Sequence, residues 1–287
     1  MTPVAVPSHA DLLLTIRGLL PSLNDQEQKV GQYVLDHPEE VIYLAVNELA
    51  QRAAASDATV FRFCKKVGTD GYHDFKIRLA QELASARPTT YMSVQTGDTM
   101  EEAARKVIAA DVKALEDTLR VLDLDALERA ADAILAARRV DIYGSGGGAV
   151  AALELQYKLM RVGVRAVPHI DAEMQVISAT LLTANDLAIG ISHSGASPDV
   201  LHALTVAREA GARTIAITNH PASPVAALAE ISLCTAAQEA LAHEGYPLGA
   251  RVAQIGLIDV LYTCLARKRP AEVERSQARI ATALYSR

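Results

Sequence analysis

From Val140 onward the chain alternates between two textures. Five short apolar runs, Val140–Tyr143, Ala166–Val167, Leu187–Ile191, Thr214–Thr218 and Ile231–Cys234, are separated by helical patterns or glycine-rich turns. Strands that alternate with helices pair in parallel, because each return crossing is made by a helix lying on a face of the sheet. The expected fold of this part is therefore a doubly wound, mostly parallel five-stranded sheet with helices on both faces. Before Val140 the periodicity is helical throughout, which predicts an all-α segment followed by an α/β one.

The helical part has readable punctuation. Leu23–Asn24–Asp25 with Gln26–Glu27 reads as a helix start, and Pro38 as its stop. Asn47 to Ala55 reads as a second helix. Ser56–Asp57 caps a third that runs to about Val67, where Gly68 ends it, and Gly71 opens a fourth. Residues 85–98 are polar and small, as linkers are. Long helices are expected over Met100–Leu122, Asp125–Ala137 and Leu248–Ala266, with Pro270 starting a last one. The chain thus divides into segments 1–84, 85–124 (linker and connecting helix), 125–268 (the sheet) and 269–287 (C-terminal helix).

Composition narrows the class. Half of the 287 residues are apolar, enough for a real core and too many for a disordered chain. The formal charge of −6 argues against loose, sequence-blind binding of nucleic acid. Cys64, Cys234 and Cys264 are scattered and form no C-x-x-C pair, which fits a reduced, cytoplasmic protein without a zinc site. Leu12–Leu14 is short and has no preceding basic residue, so it makes a poor signal peptide. No apolar stretch reaches the roughly 18 residues that a membrane span needs. No metal site, cofactor or catalytic residue is expected.

Two loops sit where a parallel sheet binds ligands, beyond the carboxyl ends of strands. One is Gly144–Ser145–Gly146–Gly147–Gly148. The other runs Ser192–His193–Ser194–Gly195–Ala196–Ser197. Each opens a helix, whose N-terminus offers N–H groups and a partial positive charge. Glycines admit a ligand to the backbone and serine hydroxyls add donors that rotate freely. This is a cradle for a compact anion such as phosphate. A dinucleotide fingerprint would need Gly at Ala149 and an acidic residue about 20 positions on, where Gly163–Val164–Arg165 stand. A nucleophile elbow would need Gly at Ser192. The bland alternative is a pair of ordinary turns.

The helical segment has its own constellation. The helix opened by Ser56–Asp57 places Val60, Phe63, Cys64 and Val67 on one face, read as core, and Thr59, Arg62 and Lys66 on the other, with Lys65 beside them. From Arg52 to Arg78 there are six basic residues against three acidic ones, although residues 1–85 carry eight against eleven. The positive face is focused. That suits a helix-turn-helix whose second helix enters the major groove of double-stranded operator DNA. Ser56 would then hold a phosphate, Thr59 and Arg62 would reach base edges, and Lys65 and Lys66 would lie on the same basic face.

The run S-D-A-T-V-F-R-F-C-K-K within Leu23–Leu83 is similar to the N-terminal domain of RpiR-type bacterial transcription regulators. Residues 140–265, with GSGGG and SHSGAS, resemble the SIS phosphosugar-binding domain that follows it in that family. The resemblance implies that the hydroxyls of Ser192, Ser194 and Ser197 hold a sugar phosphate, with Gly144, Ser145, Gly146, Gly147, His193 and Gly195 around it. It implies a transcription regulator of sugar metabolism genes, commonly a repressor, acting as a homodimer or homotetramer and responding to a phosphorylated sugar. The SIS pattern G-x-G-x-S has Gly148 in place of its serine. The rival reading is a sugar-phosphate isomerase with Glu244 as base, near Glu239 and His243; Arg251 stands where such isomerases look to have a lysine. Glu244 could equally accept sugar hydroxyls. Thr218, Asn219 and residues 239–249 are the expected source of sugar specificity.

Overall fold

The computed structural model describes residues 12–85, 94–237 and 249–285. The chain forms two compact units, Met1–Met92 and Ser93–Arg287. Among the described residues no helix is long and apolar enough to cross a membrane.

The first unit is helical: α1 (Leu12–Leu19), α2 (Asp25–Asp36), α3 (Pro38–Val41), α4 (Val46–Arg52), α5 (Asp57–Lys66) and α6 (Tyr72–Ser85). Asn24 starts α2 with a reciprocal box, its side chain accepting from the Glu27 N–H while Glu27 reaches back to the Asn24 N–H. Pro38 ends α2 as expected and also opens α3, where its missing N–H costs nothing. Helix α4 stops earlier than Ala55, because Ala54 adopts a left-handed φ of 50°. The core is closed by side chains that are fully buried, among them Ile16, Val30, Val34, Leu49, Val60, Phe63, Phe75 and Leu79. Phe63 and Phe75 meet edge to face at 5.8 Å. Cys64 lies in this core, and burial pushes its thiol up to about 12.

The second unit runs α7 (Met100–Val121), α8 (Leu124–Ala136), β1 (Val140–Gly144), α9 (Gly147–Arg161), β2 (Ala166–His169), α10 (Ala172–Thr180), β3 (Leu187–Ile191), α11 (Pro198–Glu209), β4 (Arg213–Thr218), α12 (Pro224–Leu228), β5 (Ile231–Cys234), α13 (Ala250–Lys268) and α14 (Pro270–Tyr285). The five strands pair entirely in parallel in the order β2-β1-β3-β4-β5. Strand β2 extends to Pro168 and His169, beyond the expected Val167. An edge strand tolerates a proline because one side of it needs no ladder partner.

The two faces of the sheet differ in bulk. Val140, Ile142, Leu187, Ile189, Ile215, Ile217, Ile231 and Leu233 share one core with residues of α8, α9 and α13. On the other face Ala188 and Ala216 pack with residues of α11 such as Val200 and Leu204. Gly190 belongs to this thin face, since a Cβ there would stand 2.5 Å from Leu204 Cδ1. Helix α7, expected as a connector, packs Ala114 with Ala250 and Ala253 of α13. Val273 of α14 joins the larger core.

Polar anchors fix the amino ends of the central strands. Asp186, just before β3, receives both arms of the Arg138 guanidinium at 3.0 and 2.8 Å, and the N–H and hydroxyl of Thr183. The Arg138 hydrogen bond holds its carboxyl below the usual carboxylate range. A carboxylate depressed in the folded state contributes stability above its unfolded pKa of about 3.9 and loses it as pH falls through the folded value. The urea midpoint should therefore drop below about pH 4, and Asp186→Asn should lower the midpoint at pH 7 while flattening that acid limb.

Candidate functional site

From β1 the chain moves to β2 on one side and then to β3 on the other, so the switch point lies between β1 and β3. The two loops leave these two strands side by side, since Gly144 is in register with Ile191. A Cβ at Gly148 would stand 2.5 Å from the Ile191 carbonyl oxygen, and one at Gly144 would stand 2.6 Å from the Gly148 carbonyl oxygen. The backbones touch here. Glycine at position 148, where the SIS pattern has a serine, permits this approach, and a side chain added here would require the backbone to shift. Gly146, at φ 53°, turns the chain into α9.

Loop residues of the first turn are tied to their surroundings through Ser145. Its hydroxyl lies 3.3 Å from Asp199 Oδ2, in the first turn of α11. It also accepts from Gln175 Nε2 at 3.3 Å. Gln175, on α10, is fully buried and its Nε2 also reaches the carbonyls of Gly144 and His169. Below it, buried Asp141 is gripped by Arg139 at 2.6 and 2.8 Å and by the Ser178 hydroxyl, with His169 Nε2 3.3 Å away. Burial raises the Asp141 pKa, but the bonds from His169, Arg139 and Ser178 outweigh it and leave the carboxyl below its ordinary range.

The second loop is built by β4 and α12. Ser192 N–H donates to Ile217 O at 3.0 Å, and the His193 carbonyl accepts from Asn219 N–H and the Thr218 hydroxyl at 3.0 and 3.3 Å. Gly195, at φ 64°, passes so close to Ser223 that a Cβ would stand 2.0 Å from its Oγ. Buried Ser192 and half-buried Ser197 share a hydrogen bond of 2.8 Å, while Ser194 is exposed. Ser197 occupies the N-cap of α11 without capping it, and its hydroxyl turns to Ser192 instead.

Some expected residues stand elsewhere. Thr218 is fully buried beneath the second loop. Asn219 spends its amide on the backbone of Ala237, donating at 3.1 Å and accepting at 2.7 Å. Both bond backbone around the second loop and the end of β5. Glu239, His243 and Glu244 lie outside the described residues. Conversely Arg251, in the first turn of α13, reaches the first loop: its Nη2 lies 2.8 Å from where a Gly147 Cβ would be. It brings a full positive charge to a cradle whose loops carry none. Nothing local in the sequence marks that approach, which spans over a hundred residues.

In the first unit, α4, a turn through Ala54 and α5 make the helix-turn-helix. Ser56 is exposed and its Oγ accepts the Thr59 N–H at 3.2 Å, capping α5. Thr59 is a correction to the sequence reading. It is 3% exposed, and its hydroxyl meets Ser56 Oγ at 2.9 Å and Arg62 Nη2 at 3.1 Å. A polar side chain in the first turn folds back on the cap, so Thr59 orients Arg62 instead of reaching outward. Arg62, Lys65 and Lys66 are exposed. Buried Glu27 of α2 holds Lys66 at 2.5 Å with Arg62 3.9 Å away, docking α5 by its own cations. Phe61, exposed among them, was not singled out by the sequence.

Residues 10–86 match the helix-turn-helix domain of the rpiR family, and residues 133–264 match the SIS domain. The chain is 33% identical over 265 residues to an HTH-type transcriptional regulator of Caldanaerobacter subterraneus subsp. tengcongensis, across 92% of this chain and 94% of that one. It is 34% identical over 254 residues to the bifunctional protein glk of Paraburkholderia xenovorans, of whose length it spans 40%. The Vibrio vulnificus NanR protein complexed with ManNAc-6P has the same fold at a TM-score of 0.61, with 25% identity over 96% of this chain and 98% of that one. The chain is a helix-turn-helix transcription regulator. It belongs to the rpiR family, with the helix-turn-helix domain first and the SIS domain second.

Gly148→Ser puts the contact with Ile191 to the test. It should destabilise the protein by about 1–3 kcal/mol, the usual cost of forcing atoms into a closed contact, read as a fall in the urea midpoint.

Proposed function

We propose that this regulator is a repressor of sugar metabolism genes whose effector is a phosphorylated sugar held at the β1/β3 switch point. The observation that carries the reading is the meeting of two glycine- and serine-rich loops there, with Ser192 and Ser197 sharing one hydrogen bond that a phosphate would replace. In this reading Ser145, Ser192, Ser194 and Ser197 donate to the phosphate, the N-termini of α9 and α11 face it, and Arg251 supplies the balancing charge. Gly144, Gly146, Gly147 and Gly195 give access to the backbone, and His193 and Glu244 border the sugar. NanR, which shares 25% identity with this chain, is complexed with a phosphosugar, which supports the class of effector.

The DNA-reading surface is the exposed face of α5, with Ser56, Arg62, Lys65 and Lys66 as its contacts and operator DNA as the partner. The effector acts by linkage: it shifts DNA affinity only by its differential affinity for two arrangements of the protein. Arg251 opens α13, and α13 packs on α7 through Ala250, Ala253 and Ala114, so a ligand on Arg251 bears on the helix that leads back toward the first unit. Self-association fits the apolar side chains exposed around edge strand β2: Val150, Leu153, Tyr157 and Met160 on α9, and Met174 and Ile177 on α10.

Thermal melting against a panel of phosphorylated sugars, ManNAc-6P included, with unphosphorylated sugars as controls, tests this. A ligand at about 100 times its dissociation constant stabilises by about 2.7 kcal/mol, a visible shift in Tm. Ser192→Ala should weaken binding of the active sugar about tenfold or more, the worth of one hydrogen bond to a charged group. If no phosphosugar moves the melt, this account of the loops is wrong. Conversion of the sugar, followed by NMR, would make the protein an isomerase.

A further inference from the structure

Helix α5 buries Thr59, Val60, Phe63 and Cys64 and turns a second aromatic the other way. Phe61 is 49% exposed, one helical turn from Asp57 and from Lys65 and flanked by Ala58 and Arg62, all of them exposed. Its neighbours on this face are small or charged, so nothing on α5 shelters the ring. About half of the Phe61 side chain stays in water, and that half adds nothing to folding. It gains when a partner covers it, and on a helix that lies in a major groove the partner is the edge of a base.

We infer that Phe61 is a specificity-determining residue for DNA, packing its ring on a thymine C5-methyl group in the major groove. The inference rests on the reading of α5 as the groove-entering helix. The chemistry on this face fits it. Arg62 and Lys65 are exposed cations suited to phosphates and base acceptors, and Phe61, beside Lys65 on the same exposed face, is the apolar group. Thymine offers the one apolar feature of the major-groove edge. Thr59 is turned inward, so the central apolar contact falls to Phe61.

The test uses the full chain. A duplex is selected from a randomised library by the unaltered protein, then remade with each thymine in turn replaced by deoxyuridine, which removes only the methyl. Dissociation constants are measured at one fixed salt concentration for the protein, for Phe61→Ala and for Phe61→Leu. Circular dichroism melting confirms that the variants are folded, as expected for an exposed position. At one position, with its symmetry mate, deoxyuridine should weaken the unaltered protein about fivefold to tenfold, toward the low end of the usual cost of a wrong base. Phe61→Ala should lose the same factor on the thymine duplex and be indifferent to the deoxyuridine there. Phe61→Leu should keep part of the discrimination. A random duplex should be bound equally by all three, with the same salt slope, because no charge has changed. The inference is overturned if Phe61→Ala binds the selected duplex as tightly as the unaltered protein, or still loses the full factor on deoxyuridine. If the unaltered protein itself prefers no duplex over random sequence, the assignment of α5 falls, and the inference with it.

Discussion

The contact between Gly148 and the Ile191 carbonyl governs the second unit. Two chain segments from opposite sides of the switch point touch backbone to backbone, with no side chain between them. The approach brings the loop that opens α9 against the end of β3, and with it Ser145 to Asp199. Gly190, one residue back, lets α11 settle onto the thin face of the sheet in the same way. Glycines at these positions are a condition for the two helix N-termini to converge, and only convergent N-termini make one anion site instead of two.

The charge arrangement follows a common logic in both units. The loops themselves are neutral, and the cation that attends them arrives from α13, on the far side of the sequence. In the first unit the cations of α5 are partly committed to Glu27, whose carboxylate is buried and already engaged in the cap of α2. A carboxylate taken out of water needs such partners. Lys66 and Arg62 therefore hold α5 against α2 while their charges stay at the surface. Thr59, on the same helix, orients Arg62 by bonding its guanidinium.

The sequence made the architecture readable wherever its signal was local. Short apolar runs marked all five strands, and Asn24 and Ser56 marked helix starts through their own side chains. Both loops at the switch point were visible because glycine and serine clusters are rare in such density. What stayed hidden depends on distance. Gln175 and Asp141 are polar residues that a linear reading assigns to solvent, and only the fold buries them under the first loop. Arg251 could be noted but not placed at Gly147. Thr59 shows the limit of face-by-face reading: helical spacing set it outward, and a hydrogen bond to its own cap turned it in. Thr218 and Asn219 engage neighbouring backbone, a partner that a linear reading of polar residues at a strand end cannot name.

The closed contact at Gly148 also bears on how this site can change over generations. Two of the four glycine codons lie one base from a serine codon, so serine is a near neighbour of glycine in mutation. The carbonyl of Ile191 at the end of β3 resists that step, because a side chain there must first move the start of α9 away from it. A tightly packed glycine of this loop thus narrows the sequence changes open to it through the backbone alone, independent of what the loop touches.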